Sequence, residues 1–308
     1  MWGVLLYCYY PLTTVHYSLN MGIVPQLVVN SLLASSIYAL LALGFSLTFN
    51  TAKFFNLSHG ATAILSSYIA YALFSYLGLP FWLTVILSIA AAGGFSVLSE
   101  IFIFRRLRAR KATSMVFMIA SLGLATALQA VLAMLFTSQF SSISKFFPVQ
   151  KTYEIYGAGI TFLQICTVLT AILVTIVLWF VFKKTIFGKQ VLAVSDDEEI
   201  SKIVGINTQR VIAKTFFIAG STAALAGLLT AFDTGMDPVA GLPLLLKAIV
   251  ATIIGGVHNI FAGVLGAVLL GFSENFGIWK ISGEWKDTIA FSILILFLIF
   301  RPKGIIKS

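Results

Sequence analysis

The sequence predicts an all-α integral membrane protein, a polytopic bundle of about eight or nine transmembrane helices with one large cytoplasmic loop. Three observations predict it. Of 308 residues, 59% are hydrophobic and only 10% charged, with a mean hydropathy of +1.00; a soluble domain carries about 25% charged residues. The apolar residues fall in runs close to the ~20 that a helix needs to cross ~30 Å of hydrocarbon. The basic residues gather in short stretches between those runs, the pattern that marks cytoplasmic loops. A soluble enzyme is excluded, because too few polar residues remain to hydrate its surface. The net charge of +9 then serves topology, and nucleic acid is not an expected partner.

Residues 1–20 are apolar and aromatic but lack the basic start and small-residue cleavage site of a signal peptide. They are read as an N-terminal extension of uncertain status, with Met21 as a candidate start and residues 21–308 as one transmembrane domain. The first span covers about 26–49 and is followed by Lys53. Spans 61–79 and 81–104 are separated by little more than Pro80, which predicts an antiparallel pair. Arg105, Arg106, Arg108, Arg110 and Lys111 follow with no acid among them. They set that loop in the cytoplasm and the 78–80 turn outside.

Spans 115–136 and 161–182 flank an external loop holding Lys145, Lys151 and Glu154. The segment 183–214 returns inside with Lys183, Lys184, Lys189, Lys202, Arg210 and Lys214. Span 211–232 leads out to Asp233, Asp237 and Pro238. Runs 244–257 and 261–276 are short and meet at Gly255, Gly256, His258 and Asn259. A final run, 288–300, ends in Arg301, Lys303 and Lys307. A cytoplasmic tail requires an odd number of crossings after Asp237, so the two short runs count separately or one is re-entrant. The N-terminus then lies outside.

Several spans repeat small residues every fourth position: Ser31, Ser35, Ala39; Ala219, Ala223, Gly227, Ala231; and Gly263, Ala267, Gly271. Four residues return to nearly the same helix face, so these ridges predict close helix packing in lipid. Cys8 and Cys166 offer neither a disulfide framework nor a CxxC metal site.

Asn56, Ser58, His59 and Gly60 interrupt the apolar pattern between the first two spans. A helix starting there with open amides would present a positive dipole end to a carboxylate; the plain alternative is an inner-side loop whose polar groups meet water. His59 has no Cys, Asp or second His at ligand spacing, so no metal is expected. Asn56-Leu57-Ser58 fits the glycosylation pattern, but its expected inner-side position argues against use. Glu100, Lys247, His258 and Glu274 lie near expected span ends, where snorkelling or pairing is the plain reading. A transport role for Glu274 or Lys247 is the sharper one, with Glu274 the expected pathway residue.

In the inner loop, Ser195-Asp196-Asp197-Glu198 reads as a capping box that starts a short helix. Asp196 to Glu199 suit its positive end, Ile200, Ile203 and Val204 share an apolar face, and Gly205 supplies a left-handed stop. Thr208 is the expected cap of the next span. Acids in the first turn are poor partners for an anionic leaflet; packing on the membrane surface and docking into another protein both remain open on these residues.

Four stretches together resemble the binding-protein-dependent permeases of ABC importers, the family of branched-chain amino acid permeases that also includes urea and simple-sugar permeases. Residues 30–49 with Asn56-Leu57-Ser58-His59-Gly60 resemble its first span and Asn-Phe-Ala-His-Gly type motif. Phe187-Gly188-Lys189, Ala193, Asp197 and Gly205-Ile206-Asn207, leading into Arg210-Val211, resemble its large cytoplasmic loop. Lys247-Ala248, Gly255-Gly256 and 263–271 resemble its Gly-rich region, and Lys286-Asp287 with Arg301-Pro302-Lys303-Gly304-Ile305 its end. The likeness covers about 21–306. Leu57, Ser58 and Ala61 depart from the motif, and Leu192 stands where a second basic residue is frequent.

The resemblance implies a multi-pass permease subunit of the bacterial inner membrane, with no cofactor and no catalytic residue of its own. No GxxxxGK[ST] occurs, and Gly188-Lys189 is followed by Gln190, so ATP chemistry comes from separate ATP-binding subunits. By resemblance, residues 183–210 form the coupling-helix loop, with Gly188, Lys189, Ala193, Asp196, Asp197, Gly205 and Ile206 in the ATPase contact. Asn56, Ser58, His59, Gly60 and Glu274 are the expected pathway residues. The implied partners are those ATPases, a second permease of the same or a related kind, and a periplasmic binding protein delivering branched-chain amino acids. Urea or another small solute is the alternative cargo, and an ion-coupled secondary transporter the alternative mechanism; an intramembrane enzyme lacks an acid, base and nucleophile set.

Overall fold

The structure, a computed structural model, describes residues 12–136, 139–140, 152–279, 281–301 and 304–306, with side chains from Ile23 onward except at Ile155. Residues 1–11 of the expected 1–20 extension, Met21 as a side chain, and Lys145, Lys151, Lys303 and Lys307 lie outside the described parts. In order come α1 (Leu12–Ala52), α2 (Ser58–Leu77), α3 (Phe81–Ser99), α4 (Arg105–Ala109), α5 (Ser114–Phe136), β1 (Thr152–Ile155), β2 (Ala158–Thr161) and α6 (Phe162–Lys184). Then follow α7 (Ile186–Asp196), α8 (Glu198–Ile203), α9 (Thr208–Asp233), α10 (Gly241–Gly255), α11 (Ala262–Gly277) and α12 (Lys286–Phe300). A π-helical stretch, Glu100–Phe104, joins α3 to α4 as one rod.

Among the described residues, seven helices are long and apolar enough to cross a bilayer. Seven stand against the expected eight or nine spans; α11 and α12, with 16 and 15 residues, are shorter. Fifteen residues rise about 22 Å, less than the ~30 Å hydrocarbon core. The short run at 244–257 begins earlier than its hydropathy suggests, because Asp237 caps a 3₁₀ turn over Pro238–Ala240 that leads directly into α10.

Lipid supplies no hydrophobic force between helices, so the bundle is ordered by where backbones can approach. The apolar window of α9 is 72% buried and that of α1 61%, against 22% for α5 and α6. Thus α9 and α1 form the centre, and α5 and α6 the rim. The small-residue ridges account for this. Gly271 of α11 sits on Ser31 and Ser35 of α1, so two of the expected ridges pack against each other, and a Cβ at Gly227 of α9 would overlap the Ala63 carbonyl of α2. Phe54, Phe104 and Phe117 cluster ring against ring near the Lys53 end of α1.

The external loop holds an element that hydropathy does not signal. β1 and β2 pair antiparallel, with Thr152 opposite Thr161 and Ile155 opposite Ala158. Gln26 accepts a hydrogen bond from the Gly159 amide at 2.9 Å, fastening the hairpin to α1. Thr161 then caps α6 in a capping box with Gln164.

The ends of the bundle agree with the parity argument. Arg108 and Glu198 approach each other, so the two most basic segments share one end. Asn50 of α1 donates to the Val257 carbonyl at 3.0 Å, and the amides of Ile305 and Ile306 donate to Ile254 and Gly255. The α10–α11 turn and the tail therefore lie beside the Lys53 end of α1, and the basic loops identify that end as cytoplasmic.

Candidate functional site

The break between α1 and α2 is buried inside the bundle rather than bathed in water. Asn56, Ser58 and His59 are each at most 3% exposed. Buried polar groups must find partners, and most do. The Asn56 side-chain Oδ1 accepts from the Ser58 hydroxyl at 2.7 Å and the Ser58 amide at 3.2 Å. The Leu57 amide donates to Ser121 Oγ at 3.0 Å, and that hydroxyl contacts the Phe55 carbonyl. The His59 ring occupies space left by Gly44 of α1, beside Thr222 of α9, and its Nε2 has no hydrogen-bond partner.

Gly60 lies in the first turn of α2, which begins two residues earlier than Gly60 at Ser58. A Cβ there would overlap the carbonyl of Gly241, the first residue of α10. Two helix N-termini thus abut between the faces of the bundle. A helix start carries the positive end of its macrodipole, and at α10 the Asp237 cap and the 3₁₀ turn over Pro238–Ala240 precede it.

Glu274, on α11, is fully buried. Its Oε2 accepts from the Tyr38 hydroxyl at 2.8 Å, and Lys247 Nζ lies 3.5 Å from Oε1. Lys247 also reaches Asp287 at 2.9 Å and lies over the Tyr38 ring. The cluster joins α1, α10, α11 and α12, so the short helices are pinned by charge as well as by apolar contact. Lys247 and Glu274 pair in the interior and do not snorkel. Sequence spacing could not show this: four residues from four distant stretches converge.

The cytoplasmic loop folds as two helices where one was expected. α7 extends through Asp196, so Ser195 lies inside its last turn and no capping box starts there. Asp197 is the cap instead, extended at φ −152°, its Oδ1 accepting from the Glu199 and Ile200 amides at 2.7 and 2.9 Å. The physical reason is that Gly188, Val191 and Val194 bury one face of α7, which holds the helix past the serine. Gly205, at φ +85°, ends α8 as expected, with the Ile206 amide returning to Ser201. Asn207, not Thr208, caps α9 by accepting from the Arg210 amide.

The Gly188 backbone packs against that of Phe182, and Ala193 and Ile206 are half-buried. Lys189, Asp196, Asp197 and Gly205 are exposed. The apolar face read from the sequence points away from the bundle: Ile200, Ile203 and Val204 are 60, 84 and 70% exposed. They form an exposed apolar patch on the charged end of the bundle.

A polytopic bundle of long apolar helices with a buried polar centre is that of a multi-pass membrane protein. The chain belongs to the family described as branched-chain amino acid transport system, permease component, which matches residues 27–298. It is 30% identical over 295 residues to the high-affinity branched-chain amino acid transport system permease protein BraD of Pseudomonas aeruginosa, covering 91% of this chain and 95% of that one. The corresponding protein LivH of Escherichia coli K12 is 29% identical, with coverage of 91% and 94%. Among solved structures, PsaBC from Streptococcus pneumoniae in complex with Fab has a similar fold, with a TM-score of 0.51, 16% identity and coverage of 89% and 91%. The protein is accordingly an ABC-transporter permease of the inner membrane.

Proposed function

We propose that the chain is the membrane-spanning subunit of an ATP-driven importer that moves branched-chain amino acids handed over by a periplasmic binding protein. Separate ATP-binding subunits supply the energy, and a second permease completes the pathway. The observation that carries this reading is α7–α8: an apolar face turned outward, on a chain with no nucleotide-binding motif of its own. An ATPase groove covering Ile200, Ile203 and Val204 would remove them from water, with Gly188, Lys189, Ala193, Asp196, Asp197, Gly205 and Ile206 shaping or framing the contact. ATP binding and hydrolysis then shift the bundle between inward-open and outward-open populations.

Within the bundle, Asn56, Ser58, His59 and Gly60 would line the pathway near the start of α10, and Glu274 would contribute from a separate polar cluster with Tyr38 and Lys247. An ion-coupled transporter needs a buried carboxylate free to load and release its ion; Glu100 and Glu274 are each held by a cation, Arg108 and Lys247. Branched-chain cargo is supported by relatives that span more than nine-tenths of this chain.

The test is leucine uptake into vesicles holding the assembled transporter, with the proton gradient collapsed. Uptake is expected to require ATP and the binding protein. Ile203→Asp is expected to cut uptake at least tenfold while the chain stays in the membrane. Gly205→Pro acts alike, since a ring fixed near φ −65° cannot follow the +85° turn. Uphill uptake by the isolated chain, or uptake indifferent to ATP, would overturn the proposal.

A further inference from the structure

Glu100 has no part in the pathway described above, yet the third span is distorted around it. The helix turns π-helical over Glu100–Phe104, an arrangement rare in helices and frequent at functional sites. The Glu100 side chain is 2% exposed, and its Oε1 accepts from Arg108 Nη1 at 2.7 Å. The same guanidinium faces α8: Arg108 Nε lies 3.9 Å from Glu198 Oε2. Glu198 is itself held by Lys202 at 2.7 Å and by the Thr208 hydroxyl at 3.3 Å. A continuous line of charge therefore runs from the projecting helix into the third span.

The line is built asymmetrically. Its membrane side is tight and its α8 side is at the outer limit of an ion pair. Glu100 Oε2 and Arg108 Nη2 are buried without hydrogen-bond partners, so each keeps capacity for another pairing. Two cavities flank it. One of about 380 Å³ is lined by Arg108, Asp197 and Glu198, the other of about 340 Å³ by Glu100, Arg105 and Arg210. These side chains have room to shift that a close-packed core would deny.

We propose that Arg108 is a positioning residue for energy coupling, bridging Glu198 on α8 to Glu100 in the π-helical turn so that displacement of α8 is passed to the third span. This rests on the reading of α7–α8 as the ATPase-docked element. A push on α8 toward the bundle closes the 3.9 Å gap, and the guanidinium then divides its hydrogen bonds between two carboxylates. That gives the third span two arrangements that the ATPase can bias. The bland reading is that Arg108 only neutralises a buried acid. Lysine separates the two, because a compact ammonium neutralises Glu100 but lacks the planar fork that serves two carboxylates at once.

The experiment uses the whole transporter in liposomes and measures leucine imported per ATP hydrolysed, with ATPase co-purification recorded for every variant. Arg108→Lys and Glu198→Gln are each expected to lower that ratio about tenfold with the ATPase still attached. The double variant is expected to be no worse than either single one, since both break one link. A normal ratio in Arg108→Lys, multiplicative losses in the double variant, or loss of the ATPase from Arg108→Lys would each overturn the proposal. Ile203→Asp is the separate control. If it leaves both attachment and uptake intact, the docking reading falls and the relay falls with it; if it is defective while Arg108→Lys is normal, only the relay fails.

Discussion

At the scale of single residues, burial decides which charges matter. Lys247 and Glu274 look alike in sequence to the many cations and acids near span ends, but the fold buries Glu274 completely and sets the Lys247 ammonium beside it. Removing one member of a buried pair strands the other's charge, at a cost of about 3–5 kcal/mol. Lys247→Ala is therefore expected to lower the thermal midpoint of the detergent-purified protein sharply, and Lys247→Ala with Glu274→Gln to recover part of the loss. A midpoint unchanged in Lys247→Ala would show that the pair contributes nothing. Asp197 supplies the second residue-scale test. Asp197→Ala removes the acceptor for two α8 amides and is expected to destabilise that helix by about 1 kcal/mol, whereas Ser195→Ala leaves it unchanged. Hydrogen exchange of the Glu199 and Ile200 amides reads the difference directly.

At the scale of elements, the ridges of small residues were legible because a four-residue repeat is a local property. The pairing of ridges was not, since nothing in a repeat names its partner. Gly227 meets the Ala63 carbonyl, while Gly123 on α5 has open space where a Cβ would stand. Gly227→Val is expected to force α9 from α2 and abolish accumulation in the membrane; Gly123→Ala is expected to accumulate normally. Equal behaviour of the two would remove the packing argument. The cytoplasmic helices show the converse limit. Their residue chemistry predicted a cap, an apolar face and a glycine stop, and all three exist, but the cap moved from Ser195 to Asp197 because the buried face of α7 outweighs a local capping preference. The β1–β2 hairpin was missed for lack of any hydropathy signal; its antiparallel register turns on Tyr156 and Gly157, both at positive φ.

At the scale of the whole molecule, the testable quantity is sidedness. With Cys8 and Cys166 replaced by serine, Ile203→Cys is expected to react with a membrane-impermeant thiol reagent only from the cytoplasm. Tyr156→Cys, at the tip of the hairpin and 94% exposed, is expected to react only from outside. Labelling of both from one face would break the topology and the docking reading with it.

The chain by itself determined that this protein lives in a bilayer, roughly where it crosses, that its basic residues gather at one end, and that one loop there carries a short helix with an apolar face. Those properties follow from hydropathy, charge and short-range helix chemistry, all of which act within a few residues. Only the tertiary structure decided that the Asn56–Gly60 break is enclosed, that it meets the start of α10, that Glu274 is paired by Lys247, and that Arg108 stands between Glu100 and Glu198. The reason is physical: in lipid, which helices touch is set by the fit of backbones and the pairing of buried charges across long stretches of chain, and such pairings leave no periodic trace in sequence.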